Sequence, residues 1–312
     1  MKILIIGAAG FVGGYLIHHL HTDLSDIVYA TKLPHEHLDT DEARIYDLNI
    51  LEPETISPLL EEIHPDAVIH LAAQSSVSVS WKKPDLTVDI NIKGTLYLLE
   101  AIRNLDYSPR VLLVGSGEEY GHILPDETPI KETNHIRPGN IYAVTKACQN
   151  MIGKLYCDAY KMDIMSVRAF NHIGPKQTDL FVVSDFCKQI AQIEAGLSAP
   201  VLHVGNLSAA RDFTDVRDVV RAYAMLIRTG RSGETYNVGS GQAVTIDQIL
   251  HKIIAHSSAD IQVEVDPAKL RPVDVPIIEA DISKLQTDTE WEPTISIDDT
   301  IEDVLAYWRQ QL

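Results

Sequence analysis

Tyr142 and Lys146 stand four residues apart in Tyr142-Ala143-Val144-Thr145-Lys146. On a helix that spacing puts both side chains on one face. A phenol alone is a poor acid–base at neutral pH, because its ordinary pKa is about 10. A neighbouring ammonium favours the phenolate and lowers that value. Such a pair can give a proton to a carbinol oxygen or take one from it. Ser116 lies upstream, just past the apolar run 110–114. A hydroxyl at the carboxyl edge of a strand can hydrogen-bond a reacting carbonyl oxygen. Earlier still, the first apolar run enters Gly7-Ala8-Ala9-Gly10-Phe11-Val12-Gly13, of the form GxxGxxG. Small residues there allow a tight turn and bring amides at a helix N-terminus up to a pyrophosphate. Each feature alone is common: a strand–helix turn, a capping serine, a pair of helix-surface neighbours. In this order they describe hydride transfer with a dinucleotide.

The elements needed to position these residues follow from the hydrophobic pattern. Continuous apolar runs at 2–6, 27–30, 43–46, 67–71, 110–114 and 165–168 read as strands covered on both faces. Helical stretches at 11–22, 53–63, 86–104 and 140–160 separate them. Strands alternating with helices predict right-handed βαβ units and a doubly wound parallel sheet of Rossmann type. After about Arg168 the rhythm changes. Helices are expected at 181–195, 216–228, 246–256 and 297–310, with short strands at 235–238 and 261–265. The division expected is 1–168 for the dinucleotide and 169–312 mainly for a smaller α/β substrate lobe, with some segments returning to the first.

At the end of the second strand, where an acidic residue would hold an NAD ribose, the chain reads Thr31-Lys32. Lys32 suits a 2′-phosphate, so NADP(H) is favoured over NAD(H); the alternative is a solvated surface lysine. Asp47-Leu48 after the third strand suits the adenine edge or a loop cap, and Leu71-Ala72-Ala73 leaves room for riboses. With 26 Lys and Arg against 44 Asp and Glu, the net charge is −18. That balance repels nucleic acid and anionic membranes, so an anionic ligand must be met by local cations or helix N-termini. Arg211 and Arg271 could then serve a diphosphate, and Asp274 a ribose hydroxyl, surface ion pairing being the other reading. Cys148, Cys157 and Cys187 form no CxxC pair, so neither a disulfide framework nor a metal site is expected, and a reducing, cytoplasmic compartment fits. The apolar start 3–17 resembles a signal-peptide core, but its glycines read better as strand, turn and helix.

Gly7–Gly13, Leu71-Ala72-Ala73, Asn91-x-x-Gly94-Thr95, Ser116…Tyr120-Gly121 and Tyr142…Lys146 together resemble the extended short-chain dehydrogenase/reductase family over essentially the whole chain. The resemblance implies a Rossmann cofactor domain and a sugar-nucleotide lobe. It implies that Ser116 orients a carbonyl, Tyr142 supplies the proton, Lys146 holds the nicotinamide ribose, and Asn91 supports the active-site helix. Asn171-His172-Ile173-Gly174-Pro175 and Arg271-Pro272-Val273-Asp274 are similar to the GDP-sugar branch of that family. This maps Asn171, Arg211 and Arg271 to the diphosphate and Asp274 to the ribose. The implied reaction is reduction of the C4 ketone of a GDP-4-keto-6-deoxyhexose. Glu118 matches the position at which the branch's 4,6-dehydratases carry a proton-abstracting glutamate, so dehydration stays open, as does 4-epimerisation. A non-catalytic dinucleotide-binding regulator is the reading from another class; it would have no need of the Ser/Tyr/Lys set. Family members usually form homodimers through the helices near 86–104 and 140–160.

Overall fold

The computed structural model describes residues 1–269 and 275–312. Thirteen strands are found among them: β1 (Lys2–Ile6), β2 (Ile27–Lys32), β3 (Arg44–Asp47), β4 (Ala67–His70), β5 (Arg110–Ser116), β6 (Ile164–Ala169), β7 (Asn171–Ile173), β8 (Val201–Val204), β9 (Ala210–Asp215), β10 (Thr235–Val238), β11 (Ala243–Thr245), β12 (Gln262–Val265) and β13 (Ile277–Ile278). Seven of these make one sheet in the order β10-β6-β5-β4-β1-β2-β3, and every neighbouring pair in it is parallel. The order reverses between β1 and β4, and ligands bind at such a switch point, outside the carboxyl ends of the strands.

Alternate residues of each strand serve opposite faces. Ile3, Ile5, Ile69, Leu112 and Val167 pack under the helices Phe11–His18 and Val216–Thr229. Leu4, Ile6, Val68, Val111 and Leu113 pack under Pro53–Ile63, Thr95–Arg103 and Ile141–Tyr160. With both faces covered, the strands read as unbroken apolar runs. A separate core joins the helices Val182–Glu194, Ile246–Ala255 and Ile297–Gln310 to β8 and β9. β9 pairs with β7, β11 and β13, and β8 with β12.

The doubly wound α/β architecture is as expected. One helix differs. The span expected as continuous at 86–104 is Pro84–Val88, then a π-helical turn Asp89–Gly94, then Thr95–Arg103. Wide turns of this kind are rare and recur at functional sites. This one carries Asn91 at its centre. The first helix likewise ends at His18 and passes into a π-helical turn, His19–Asp23. β7, β11 and β13 carry two or three residues each, too few for a periodicity to declare them, and the six residues of β9, Ala210-Arg211-Asp212-Phe213-Thr214-Asp215, form no apolar run although all are buried.

Candidate active site

The helix Ile141–Tyr160 is started by Asn140, whose Oδ1 accepts from the Ala143 amide at 2.8 Å. Its buried face presents Tyr142, Lys146, Gln149, Asn150 and Gly153. A Cβ on Gly153 would stand 2.5 Å from Leu113 Cδ1, so glycine lets the helix lie close on β5. That approach carries Lys146 Nζ to the Val114 carbonyl at 2.8 Å.

Asn91 locks the helix from the other side. Its Oδ1 accepts from the Gln74 amide at 2.8 Å, and its Nδ2 donates to the Gln74 carbonyl at 3.1 Å and to Thr145 Oγ1 at 2.9 Å. Thr145 Oγ1 in turn donates to the Tyr142 carbonyl at 2.7 Å. One side chain thus ties the loop after β4, the π-helical turn and the helix carrying Tyr142.

Ser116 ends β5 and caps the short turn Gly117–Tyr120; its Oγ accepts from the Glu118 amide at 3.2 Å. Ser116 and Tyr142 come together: burial pushes the Tyr142 phenol above its ordinary value, and a side-chain hydrogen bond with Ser116 opposes the rise. The half-buried Glu118 joins them, with Oε2 accepting from Asn140 Nδ2 at 3.0 Å. Lys146 departs from the expected pairing. Its ammonium also donates to Gln149 Oε1, at 3.1 Å, and the raised value of the phenol follows first from burial. Burial brings Lys146 itself down to about 8.

His70, at the end of β4, was not singled out by its sequence. The Thr95 hydroxyl donates to the Asn91 carbonyl at 2.8 Å, so it accepts from His70 Nε2 at 3.0 Å. Burial and then Lys146 bring the imidazole down to about 3. Between about pH 3 and 6.5 the unfolded chain therefore binds a proton that the folded chain refuses, and stability falls as pH falls through that window. In urea unfolding, His70→Gln should lose less stability than wild type between pH 6.5 and 4; parallel losses would contradict a neutral buried His70.

On the dinucleotide side, Gly7 has φ +83°, and a Cβ there would stand 2.5 Å from Ala72 Cα. Gly10, at the N-cap of Phe11–His18, carries no capping side chain, which leaves the helix start open to an anion. Phe11 and Val12 are half-buried at this turn, as are Leu71, Ala72 and Ala73 beside it. His172 stacks on Phe11, with ring centroids 6.0 Å apart and planes within 3°. These small residues and this open helix end fit a dinucleotide.

Four of the residues expected at the cofactor have partners within the chain itself. Thr31 is buried, accepting from the Gly7 amide at 3.0 Å and donating to the Ile5 carbonyl at 3.4 Å, so it braces the glycine turn. Leu48 is buried in the core beneath β3. Lys32 and Asp47, opposite each other in the β2–β3 register, form an ion pair at 2.5 Å, so each meets the other's charge. In the second lobe Asn171 is exposed at the start of β7. The buried Arg211 donates to the Ala210 carbonyl at 2.8 Å and the Val275 carbonyl at 2.7 Å. Arg271 and Asp274 lie outside the described residues.

A parallel sheet in this order, with a glycine turn on β1 and a Ser/Tyr/Lys set at the edge of β5, defines a Rossmann-fold oxidoreductase of the extended short-chain dehydrogenase/reductase type. The family model for GDP-mannose 4,6 dehydratase matches residues 4–304, and the chain belongs to that family. It is 33% identical to GDP-6-deoxy-D-mannose reductase of Pseudomonas aeruginosa, over 100% of this chain and 98% of that protein. The structure of RMD from Pseudomonas aeruginosa complexed with NADPH superposes with a TM-score of 0.88 at 31% identity, covering 100% of this chain and 99% of that one. The UDP-glucose 4-epimerase of Thermus thermophilus, in complex with NAD, superposes at 0.89 with 26% identity, covering 100% of both chains.

Proposed function

We propose that the protein reduces the C4 ketone of a GDP-4-keto-6-deoxyhexose with NADPH, giving GDP-D-rhamnose or its C4 epimer. The observation that carries this is the gathering of Ser116 and Tyr142 above a buried Lys146, in a chain similar from end to end to GDP-6-deoxy-D-mannose reductase. When bound, the dinucleotide supplies the hydride to the ketone carbon. Tyr142 gives its phenolic proton to the ketone oxygen, and Ser116 orients that oxygen. A phenol pushed up by burial stays protonated, as a proton donor to a forming alkoxide must be. Lys146 exchanges Val114 and Gln149 for the nicotinamide ribose. Gly7, Gly10, Phe11, Val12 and Gly13 hold the pyrophosphate. Lys32 favours NADPH over NADH, with a 2′-phosphate taking the place of Asp47. Asn171, Arg211 and Arg271 serve the substrate diphosphate and Asp274 its ribose. Residues 1–168 form the dinucleotide half, to which Val216–Thr229 and β10 return, and 169–312 otherwise hold the sugar nucleotide. The charge balance and cysteine usage suit the cytoplasm.

The second reading, GDP-mannose 4,6-dehydratase, is favoured by Glu118, a half-buried carboxylate held beside Tyr142 by Asn140. Purified protein mixed with GDP-4-keto-6-deoxymannose and NADPH separates the two. Oxidation of NADPH is the expected result. No oxidation, with GDP-mannose converted to a 4-keto product without added reductant, replaces the reductase by the dehydratase.

The working form is a homodimer. On the face of Ile141–Tyr160 turned away from the sheet, Val144 is 51% exposed, Met151 67% and Leu155 61%. With the half-buried Cys148 they form an apolar stripe at helical spacing, and a second copy of the same helix would cover it. Light scattering should give about twice 34.7 kDa, falling to 34.7 kDa in Met151→Glu/Leu155→Glu. A wild type that already runs at the single-chain mass ends the dimer proposal.

A further inference from the structure

Beneath the catalytic turn lies a carboxylate that no step of the proposed reaction uses. Glu119 is fully buried, whereas its neighbour Glu118 is half-buried and accepts from Asn140. Glu119 Oε1 accepts from the Ser116 main-chain amide at 2.9 Å and from Asn150 Nδ2 at 2.8 Å. Its Oε2 accepts from the same Asn150 nitrogen at 2.8 Å and from Arg168 Nε at 3.0 Å. The fit to β5 is close: a Cβ on Gly115 would stand 2.3 Å from Glu119 Oε1. Arg168, on β6, is buried as well; its guanidinium lies 4.7 Å over the Tyr120 ring and donates to the Tyr120 hydroxyl at 3.0 Å.

Burial pushes the Glu119 carboxyl up, and Arg168, the Ser116 amide and Asn150 pull it down. Every group bonded to it is a donor, which suits the carboxylate and leaves a protonated form without an acceptor. A buried ion pair is weak evidence of stabilisation, because desolvation offsets its attraction. Its place under Ser116 therefore calls for another account.

We propose that Glu119 is the positioning and charge-balancing residue of the reaction centre, fixing the Ser116 main chain from below and setting a permanent negative charge beneath Tyr142 and Lys146. The inference rests on the reading of Ser116, Tyr142 and Lys146 as the reacting set. Negative charge at Glu119 favours the Lys146 ammonium against the burial that lowers it, and adds to the burial and the Glu118 charge that keep Tyr142 a neutral phenol. Those are the forms that a proton donor to a ketone oxygen requires. Of the other groups facing the centre, Glu118 shares its sign and acts on Tyr142 as well. His70, from β4, is neutral beside Lys146. Glu118 lies near enough to Tyr142 to act on its phenol, and Tyr223, on Val216–Thr229, is a buried neutral phenol. Arg168 is engaged with Glu119 and Tyr120, and Glu132 acts on Tyr120.

Glu119→Gln keeps the shape and an oxygen acceptor for the Ser116 amide but removes the charge. The test follows the ¹³Cε resonance of Lys146, assigned against Lys146→Arg, through a pH titration of the cofactor-free protein. In wild type the midpoint should lie near about 8; in Glu119→Gln it should fall by roughly one unit. Glu119→Leu, which loses the acceptor too, should lower kcat for ketone reduction about a hundredfold at an unchanged KM for NADPH. An unmoved Lys146 midpoint overturns the charge-balancing role, and a wild-type kcat in folded Glu119→Leu overturns the positioning role. Should Glu119→Gln fail to fold because Arg168 is left unpaired, Glu119→Gln/Arg168→Met removes both charges. The fall in the Lys146 midpoint is expected there as well, and its absence overturns the proposal. The titration needs no substrate. A wild type inert toward the ketone would sink the reductase reading and leave the midpoint result to stand or fall by itself.

Discussion

Tyr142→Phe is expected to lower kcat for ketone reduction about a thousandfold while leaving NADPH affinity within a few-fold of wild type. A positioned general acid contributes roughly a hundred- to ten-thousandfold. The upper part of that range suits this centre for two reasons. Tyr142 is buried, so water does not readily replace its proton. It is also the partner of Ser116, so its loss frees the serine proposed to orient the carbonyl. The ring itself stays, and the helix is held by Asn140 and by Asn91 through Thr145, neither of which touches the phenol. Single-turnover reduction with saturating NADPH, beside NADPH fluorescence titration, measures both quantities. Retention of more than about a tenth of the wild-type rate would remove Tyr142 as proton donor and move attention to Glu118.

Gly13→Ala should cost about 3 kcal/mol or more in stability and weaken NADPH binding at least tenfold. A Cβ at Gly13 would lie 1.9 Å from the Ala8 carbonyl oxygen and 2.5 Å from its carbon. Overpacking a core typically costs about 1–3 kcal/mol when side chains can yield; here the obstacle is backbone. The helix Phe11–His18 would have to move off β1, taking with it the amides proposed to face the pyrophosphate. The next residue is the control. A Cβ on Gly14 meets nothing within 4 Å, so Gly14→Ala should stabilise the helix by about 0.5–1 kcal/mol. Thermal unfolding of the two variants, with and without NADPH, should move in opposite directions. A Gly13→Ala protein as stable as wild type would show that the turn is looser than its packing indicates.

What could be read along the chain was local geometry. The glycine turn, the Tyr142–Lys146 spacing and the strand end at Ser116 are fixed by contacts within a few residues. So are the alternating strands and helices that make the parallel sheet, because backbone sterics and a helix of 3.6 residues per turn set them without help from elsewhere. The pairing of charges was not legible. That Lys32 carries a counter-ion could not be read, because nothing in its neighbourhood reveals that β3 lays Asp47 beside it. Thr31 could be read as facing a ligand, although its hydroxyl is taken up by the Gly7 amide across the sheet. Glu119 carried one signal only, an acid next to another acid. Its partners come from the helix Ile141–Tyr160 and from β6, 31 and 49 residues further on. Lys146 shows the division most plainly. Its helical position follows from the sequence alone, but its carbonyl partner, its amide neighbour and its lowered affinity for a proton exist only once burial strips water from it. The sequence by itself determined which chemical groups the protein owns and which face of which element carries them. The tertiary structure decided which of them share a dry space, and therefore which charges they feel.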